Sequence, residues 1–120
     1  MSRLRILIVE DEILIAEDLR LSVQKMGHEV VGIAGDGLEA VQKALTTHPD
    51  VILMDVRLQG PMDGIEAARK IRSQADIPII YVTAHASVVA SLDMDSRCTH
   101  LGKPFSPAQL QAALRGILGS

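Results

Sequence analysis

The stretch that most constrains the fold is Val51-Ile52-Leu53-Met54-Asp55, four consecutive apolar residues that stop at a carboxylate. Pro49-Asp50 precede it and Gly60-Pro61 follow it. A short apolar run between turn signals suits a strand covered on both faces, as in a parallel sheet with helices above and below. The carboxylate then stands at the C-terminal tip of the strand, the edge at which open parallel sheets bind ligands. Alone, an Asp in this place more often caps a loop; what ends the other strands shifts that balance.

Leu4 to Val9 reads as a first buried strand running straight into Glu10-Asp11-Glu12. Ile15, Leu19, Val23 and Met26 then recur at helical spacing, and Gly27 ends that helix. Glu29 to Ala34 is a second strand with the turn Gly35-Asp36-Gly37, followed by a short helix whose inner face is Ala40, Val41, Ala44 and Leu45. After Asp55, the segment Arg57 to Asp63 contains Gly60 and Pro61 and reads as a loop; helix resumes near Gly64 with Ile65, Ala68 and Ile71 inward. Pro78 to Thr83 is a fourth strand and ends in a hydroxyl. Ser87 to Asp95 has only Val88, Val89 and Leu92 for an apolar face, and Cys98 to Leu101 gives a short fifth strand leading to Lys103-Pro104. Ser106 as N-cap, Pro107 at the first helical position and Gln109 three residues after the cap announce a last helix, with Leu110, Leu114, Ile117 and Leu118 as its stripe and Gly119 as its end.

Strands alternating with helices require right-handed crossovers and a parallel sheet covered on both sides, a three-layer α/β/α sandwich. A length of 120 residues fits one domain over 1–120, and a composition 48% hydrophobic but only 2% aromatic makes its core aliphatic. In a flavodoxin-like strand order 2-1-3-4-5 the switch point lies between the first and third strands, so Glu10, Asp11 and Asp55 would face one another. The net charge of −3 offers no basic footprint, which argues against direct contact with nucleic acid or an anionic membrane. Leu4 to Val9 is too short for a membrane span and is broken by Arg5, and the single cysteine, Cys98, makes no internal disulfide. A reduced, cytoplasmic setting is the expectation.

Four strand tips thus carry chemistry on one sheet edge: the acid pair, Asp55, Thr83 and, just past the fifth strand, Lys103. Three crowded carboxylates repel, and without compensation at least one takes up a proton. Oxygen-only donors select a hard ion such as Mg²⁺, which also suits phosphoryl oxygens. A carboxylate can act as nucleophile and become an aspartyl phosphate, and phosphoryl transfer asks for little beyond positioning and charge neutralisation. Each residue has a plainer explanation, a helix start for Glu10-Asp11, a strand β-former for Thr83 and a surface charge for Lys103. Their joint placement is what argues for a site.

These residues resemble the receiver domains of two-component response regulators, the CheY-like fold, over essentially the whole chain. The motifs are Ile8-Val9-Glu10-Asp11-Glu12, Leu53-Met54-Asp55, Met62-Asp63-Gly64-Ile65-Glu66-Ala67, Val82-Thr83-Ala84 and Lys103-Pro104-Phe105. The resemblance implies that Asp55 accepts a phosphoryl group from a phosphohistidine on a sensor histidine kinase or histidine phosphotransfer protein. It implies Mg²⁺ held by Asp11, Asp55 and the Arg57 backbone carbonyl, with Glu10 assisting through water. Thr83 and Lys103 would bind phosphoryl oxygens, Lys103-Pro104 would be a cis peptide, and the phosphoryl group would bias two conformations that an output domain or downstream protein reads. The face around the fourth helix, the one read over Ser87 to Asp95, and the fifth strand would report the change.

The chain departs from the family pattern where it reports. His100 stands where the family usually has Tyr or Phe, three residues before the Lys, and would take the aromatic's place as a switch residue alongside Thr83. The stretch from Thr83 to Lys103 is shorter than usual, so the helix over Ser87 to Asp95 is expected to be short or displaced, and the loop after Asp55 carries an extra residue around Gln59 to Pro61. Arg57 and His85, beside the site, would slow attack of water on a phosphoaspartate; His28 and His48 lie in turns and make poor phosphodonors. Two rival readings are an interaction module that keeps the fold without switching, and an Asp-based phosphohydrolase. Against the second, hydrolases of the haloacid-dehalogenase type carry another Asp where this chain has Arg57.

Overall fold

The computed structural model describes residues 3–85, 87–88 and 97–118. Among them run β1 (Arg5–Val9), α1 (Ile13–Lys25), β2 (Glu29–Ala34), α2 (Gly37–Thr47), β3 (Val51–Asp55), α3 (Gly64–Arg72), β4 (Ile79–Thr83), β5 (Cys98–Gly102) and α4 (Pro107–Leu118). The five strands form one parallel sheet in the order β2-β1-β3-β4-β5. This is the flavodoxin-like α/β arrangement expected from the alternation.

Every residue of β3 and β4 is buried, as a strand with helices on both faces requires. Successive side chains point to opposite faces, and each face gathers its own core. Leu7, Val9, Ile52, Met54, Ile79 and Tyr81 pack with α2 and α3 on one side. Ile6, Ile8, Val51, Leu53 and Ile80 pack with α1 and α4 on the other. The register aligns the strand ends: Val9 lies opposite Met54, Asp55 opposite Val82 and Thr83 opposite Gly102. Whatever follows the last residue of β1, β3, β4 or β5 therefore arrives at one edge.

The differences from the sequence reading are local. Leu4 stays outside β1, and its N–H goes to the ring of His28 at 3.1 Å. In α1 the buried residues are Ala16, Leu19 and Val23, with Ile15 and Met26 half-buried, so the inward stripe is turned toward Ala16. In α3 Ala67 joins Ala68 and Ile71 in the core, because two adjacent alanines let this helix seat closely on the sheet. Gly27, at φ +92, follows the C-cap of α1 as expected. The capping box of α4 is formed, Gln109 N–H donating to Ser106 Oγ at 3.1 Å and Ser106 N–H to Gln109 Oε1 at 2.8 Å. Two further N-caps were not anticipated: Asp36 Oδ1 accepts from Glu39 N–H at 2.8 Å and Asp63 Oδ1 from Glu66 N–H at 2.9 Å. The expected short or displaced helix over Ser87 to Asp95 lies mainly outside the described residues; Val88 N–H donates to the His85 carbonyl at 3.1 Å in a single turn.

Candidate functional site

β1 and β3 are neighbours although α1, β2 and α2 separate them in sequence, and at this reversal of strand order their tips adjoin. Glu10 extends β1 by one more ladder bond, its N–H donating to the Ala34 carbonyl at 2.9 Å, which turns its side chain inward to 3% exposure. Glu10, Asp11 and Asp55 each present a carboxylate oxygen, and these oxygens all lie within 4.8 Å of one another. A backbone amide holds each group: Glu12 N–H donates to Glu10 Oε2 at 3.1 Å, Gln59 N–H to Asp11 Oδ2 at 3.3 Å and Arg57 N–H to Asp55 Oδ1 at 3.0 Å.

Lys103 reaches the cluster from beyond β5. Its N–H donates to the Thr83 carbonyl at 2.8 Å, and its peptide to Pro104 is cis. The ammonium lies 3.1 Å from Glu10 Oε1 and 3.4 Å from Asp55 Oδ2. Thr83 is buried and its Oγ1 accepts from His85 N–H at 3.1 Å, which leaves the hydroxyl proton available for donation. These groups border a cleft of about 350 Å³ whose walls include Asp11, Asp55, Arg57, Thr83, His85 and Lys103.

The electrostatics are those of a site short of positive charge. Burial, reinforced by the charge of Asp55, pushes the Glu10 carboxyl up to about 7 against the opposing pull of the Glu12 N–H and Lys103. Burial works against the Lys103 charge, yet the Asp55 and Glu10 carboxylates hold its ammonium above the ordinary lysine value. Three carboxylates around one ammonium leave a double negative deficit when all are ionised. An all-oxygen donor set with that deficit fits a hard divalent cation.

A pH dependence follows from Glu10. A carboxyl raised in the folded chain from 4.5 to about 7 binds more protons folded than unfolded, so its contribution is fully present below 4.5 and is lost as pH rises to about 7. Without divalent cation, wild type should lose stability relative to Glu10→Gln over that window, read by denaturant melts at a series of pH values. Parallel pH profiles for the two proteins would contradict it.

The structure thus brings Glu10, Asp11, Asp55, Thr83 and Lys103 to one edge and places Arg57 on the same cleft. It does not bring His100 there. That residue is exposed on β5, paired in register with the fully buried Tyr81. His28 and His48 sit at the opposite end of β1: the His28 ring accepts from Leu4 N–H, and the His48 carbonyl accepts from Arg5 Nη1 at 2.9 Å. The amides of Glu12 and Gln59 were missed by the sequence reading, since any residue type can supply an N–H.

Comparison with known proteins decides the family. The response regulator receiver domain model matches residues 6–115. The chain belongs to that family. Receiver domains of response regulators are phosphoacceptors rather than enzymes in general, and the cluster of Glu10, Asp11 and Asp55 fits a phosphoacceptor site. Over 112 residues, 92% of the chain, this receiver is 41% identical to the transcriptional regulatory protein PdtaR of Mycobacterium tuberculosis. It is 34% identical over 94% of its length to the phyllosphere-induced regulator PhyR of Methylorubrum extorquens. It spans about half the length of these relatives, 54% and 43% respectively. Among solved structures, the anti-anti-sigma factor PhyR of Bartonella quintana superposes with a TM-score of 0.87 at 33% identity, covering 99% of this chain and 49% of that one. The receiver domain of sensor histidine kinase PA1611 from Pseudomonas aeruginosa superposes at 0.84 and 33% identity, covering 99% of this chain and all of that one, and was solved with magnesium coordinated in its active-site cleft. The receiver assignment favours the phosphoacceptor over the phosphohydrolase. No described helix is long and apolar enough to cross a membrane.

Proposed function

We propose that residues 1–120 act as one receiver unit in which Asp55 is the phosphoacceptor. The observation that carries this is the meeting of three carboxylates within 4.8 Å, with the Lys103 ammonium against two of them. A carboxylate oxygen of Asp55 attacks the phosphorus of a phosphohistidine on a sensor histidine kinase or histidine phosphotransfer protein. The phosphorus–nitrogen bond breaks and the imidazole leaves with the electron pair and is protonated. Arg57 N–H keeps Asp55 aimed into the cleft, the Thr83 hydroxyl donates to a phosphoryl oxygen, and Lys103 offsets the added charge.

Glu10, Asp11, Asp55 and the Arg57 backbone carbonyl would hold Mg²⁺, which when bound supplies positive charge to the phosphoryl oxygens. Thr83 and His100 are the switch residues of this reading: Thr83 engages the phosphoryl group, and His100, on the outer strand, presents the result to an output domain or downstream protein. Such signalling takes place in the cytoplasm, with no direct contact to nucleic acid or membrane by this unit. Arg57 and His85, at the cleft wall, slow the entry of water toward a phosphoaspartate.

Incubation with acetyl phosphate and Mg²⁺ should raise the intact mass by one phosphoryl group, and EDTA should abolish the gain. Unchanged mass in magnesium would defeat the proposal, and steady turnover of an external phosphomonoester would favour the hydrolase instead.

A further inference from the structure

The loop leaving β3 supplies two of the three amides that hold the acidic groups. Arg57 N–H serves Asp55 on its own strand; two residues on, Gln59 N–H crosses the switch point to Asp11 beyond β1. The Gln59 amide donates to Asp11 Oδ2 at 3.3 Å. The loop is not free to drift. Leu58, between the two donors, is 8% exposed and packed in the core shared with α2 and α3. Farther along, the Met62 carbonyl is so close to α2 that a Cβ on Gly37 would stand 2.6 Å from its oxygen. The Gln59 amide is therefore fixed in space by packing at Leu58 and at Met62, and through it the loop fixes Asp11.

We infer that the Gln59 backbone N–H is a positioning group for the cation site: it holds Asp11 Oδ2 so that the carboxylate is set for a divalent ion before the ion arrives. The inference rests on the reading of the acidic cluster as a Mg²⁺ site. A carboxylate already oriented by an amide gives up less rotational freedom on binding. The side chain of Gln59 has no part in this, so the effect belongs to a single hydrogen atom of the main chain.

The test removes that atom. In the full chain assembled by ligation, the amide at 59 is replaced by an ester carrying the same side chain, and Mg²⁺ affinity is measured by titration followed by NMR. Gln59→Ala, which keeps the N–H, is the comparator. The ester should bind Mg²⁺ roughly three- to tenfold more weakly than Gln59→Ala, the effect of losing one ordinary hydrogen bond, since this one is long and exposed. Equal affinities would overturn the inference while leaving the cation site intact. Wild type that binds no Mg²⁺ would overturn the site itself. Should the ester protein not fold, amide exchange in wild type decides: the Gln59 amide should exchange more slowly than an open amide and more slowly again in Mg²⁺, and exchange at the open rate in both conditions would overturn the inference.

Discussion

Asp55→Asn should take up no phosphoryl group under conditions that add one to wild type, with intact-mass measurement as the readout. The expected effect is complete loss, because an uncharged amide oxygen does not attack phosphorus and no other carboxylate is equivalent. Glu10 is more deeply buried, with its Oε2 bound to the Glu12 amide and its Oε1 to Lys103. Asp11 is tied to the following loop. The substitution should spare the fold, since the Asn carbonyl oxygen can still accept from Arg57 N–H as Asp55 Oδ1 does at 3.0 Å. Uptake by the variant at anything near the wild-type rate would move the acceptor to a neighbouring acid.

Gly64→Ala should have the largest effect on stability. Gly64 opens α3 directly over the end of β3, its N–H donating to the Val56 carbonyl at 3.0 Å. A Cβ there would lie 1.9 Å from the Asp55 carbonyl oxygen and 2.9 Å from the Val56 Cα, backbone atoms at and just past the buried end of β3 that no rotamer change can clear. Either α3 lifts off Ala67, Ala68 and Ile71 or the tip of β3 is displaced. Overpacking of this kind costs about 3 kcal/mol or more. For a domain of this size the melting temperature should fall by roughly 10 °C or more. A variant melting within a degree or two of wild type would show that α3 can shift without cost.

Both substitutions act at the tip of β3, the part of the chain that was most readable in the sequence. Val51 to Asp55 begins and ends where its apolar run and flanking turns place it, because a parallel strand buried on both faces is apolar up to its tip; Glu29 to Ala34, a half-buried edge strand, takes its limits from the turns on either side. The convergence of Glu10, Asp11, Asp55, Thr83 and Lys103 was legible for a topological reason: strand order and a common direction suffice to bring the tips together. The Asp36 and Asp63 caps were legible in principle, each being an Asp with Glu three residues later, but the turn residues around them drew the reading toward plain loops. The Gln59 amide had no signal, since backbone donors are aimed by dihedral angles and not by residue type. At β1 a distant His28 captured the N–H of Leu4, a contact that periodicity does not register.

The sheet grips its members unequally. β3 is bonded to a neighbour on each side, whereas β5, the strand before Lys103, is bonded on one side only and alternates between covered and open positions. Asp55 thereby ends a strand held from both sides, and Lys103 follows one held from a single side. In the proposed function a phosphoryl group on Asp55 would meet a carboxylate on a strand held from both sides and an ammonium beyond a strand held from one, so accommodation would fall to the outer margin of the sheet, where His100 faces solvent.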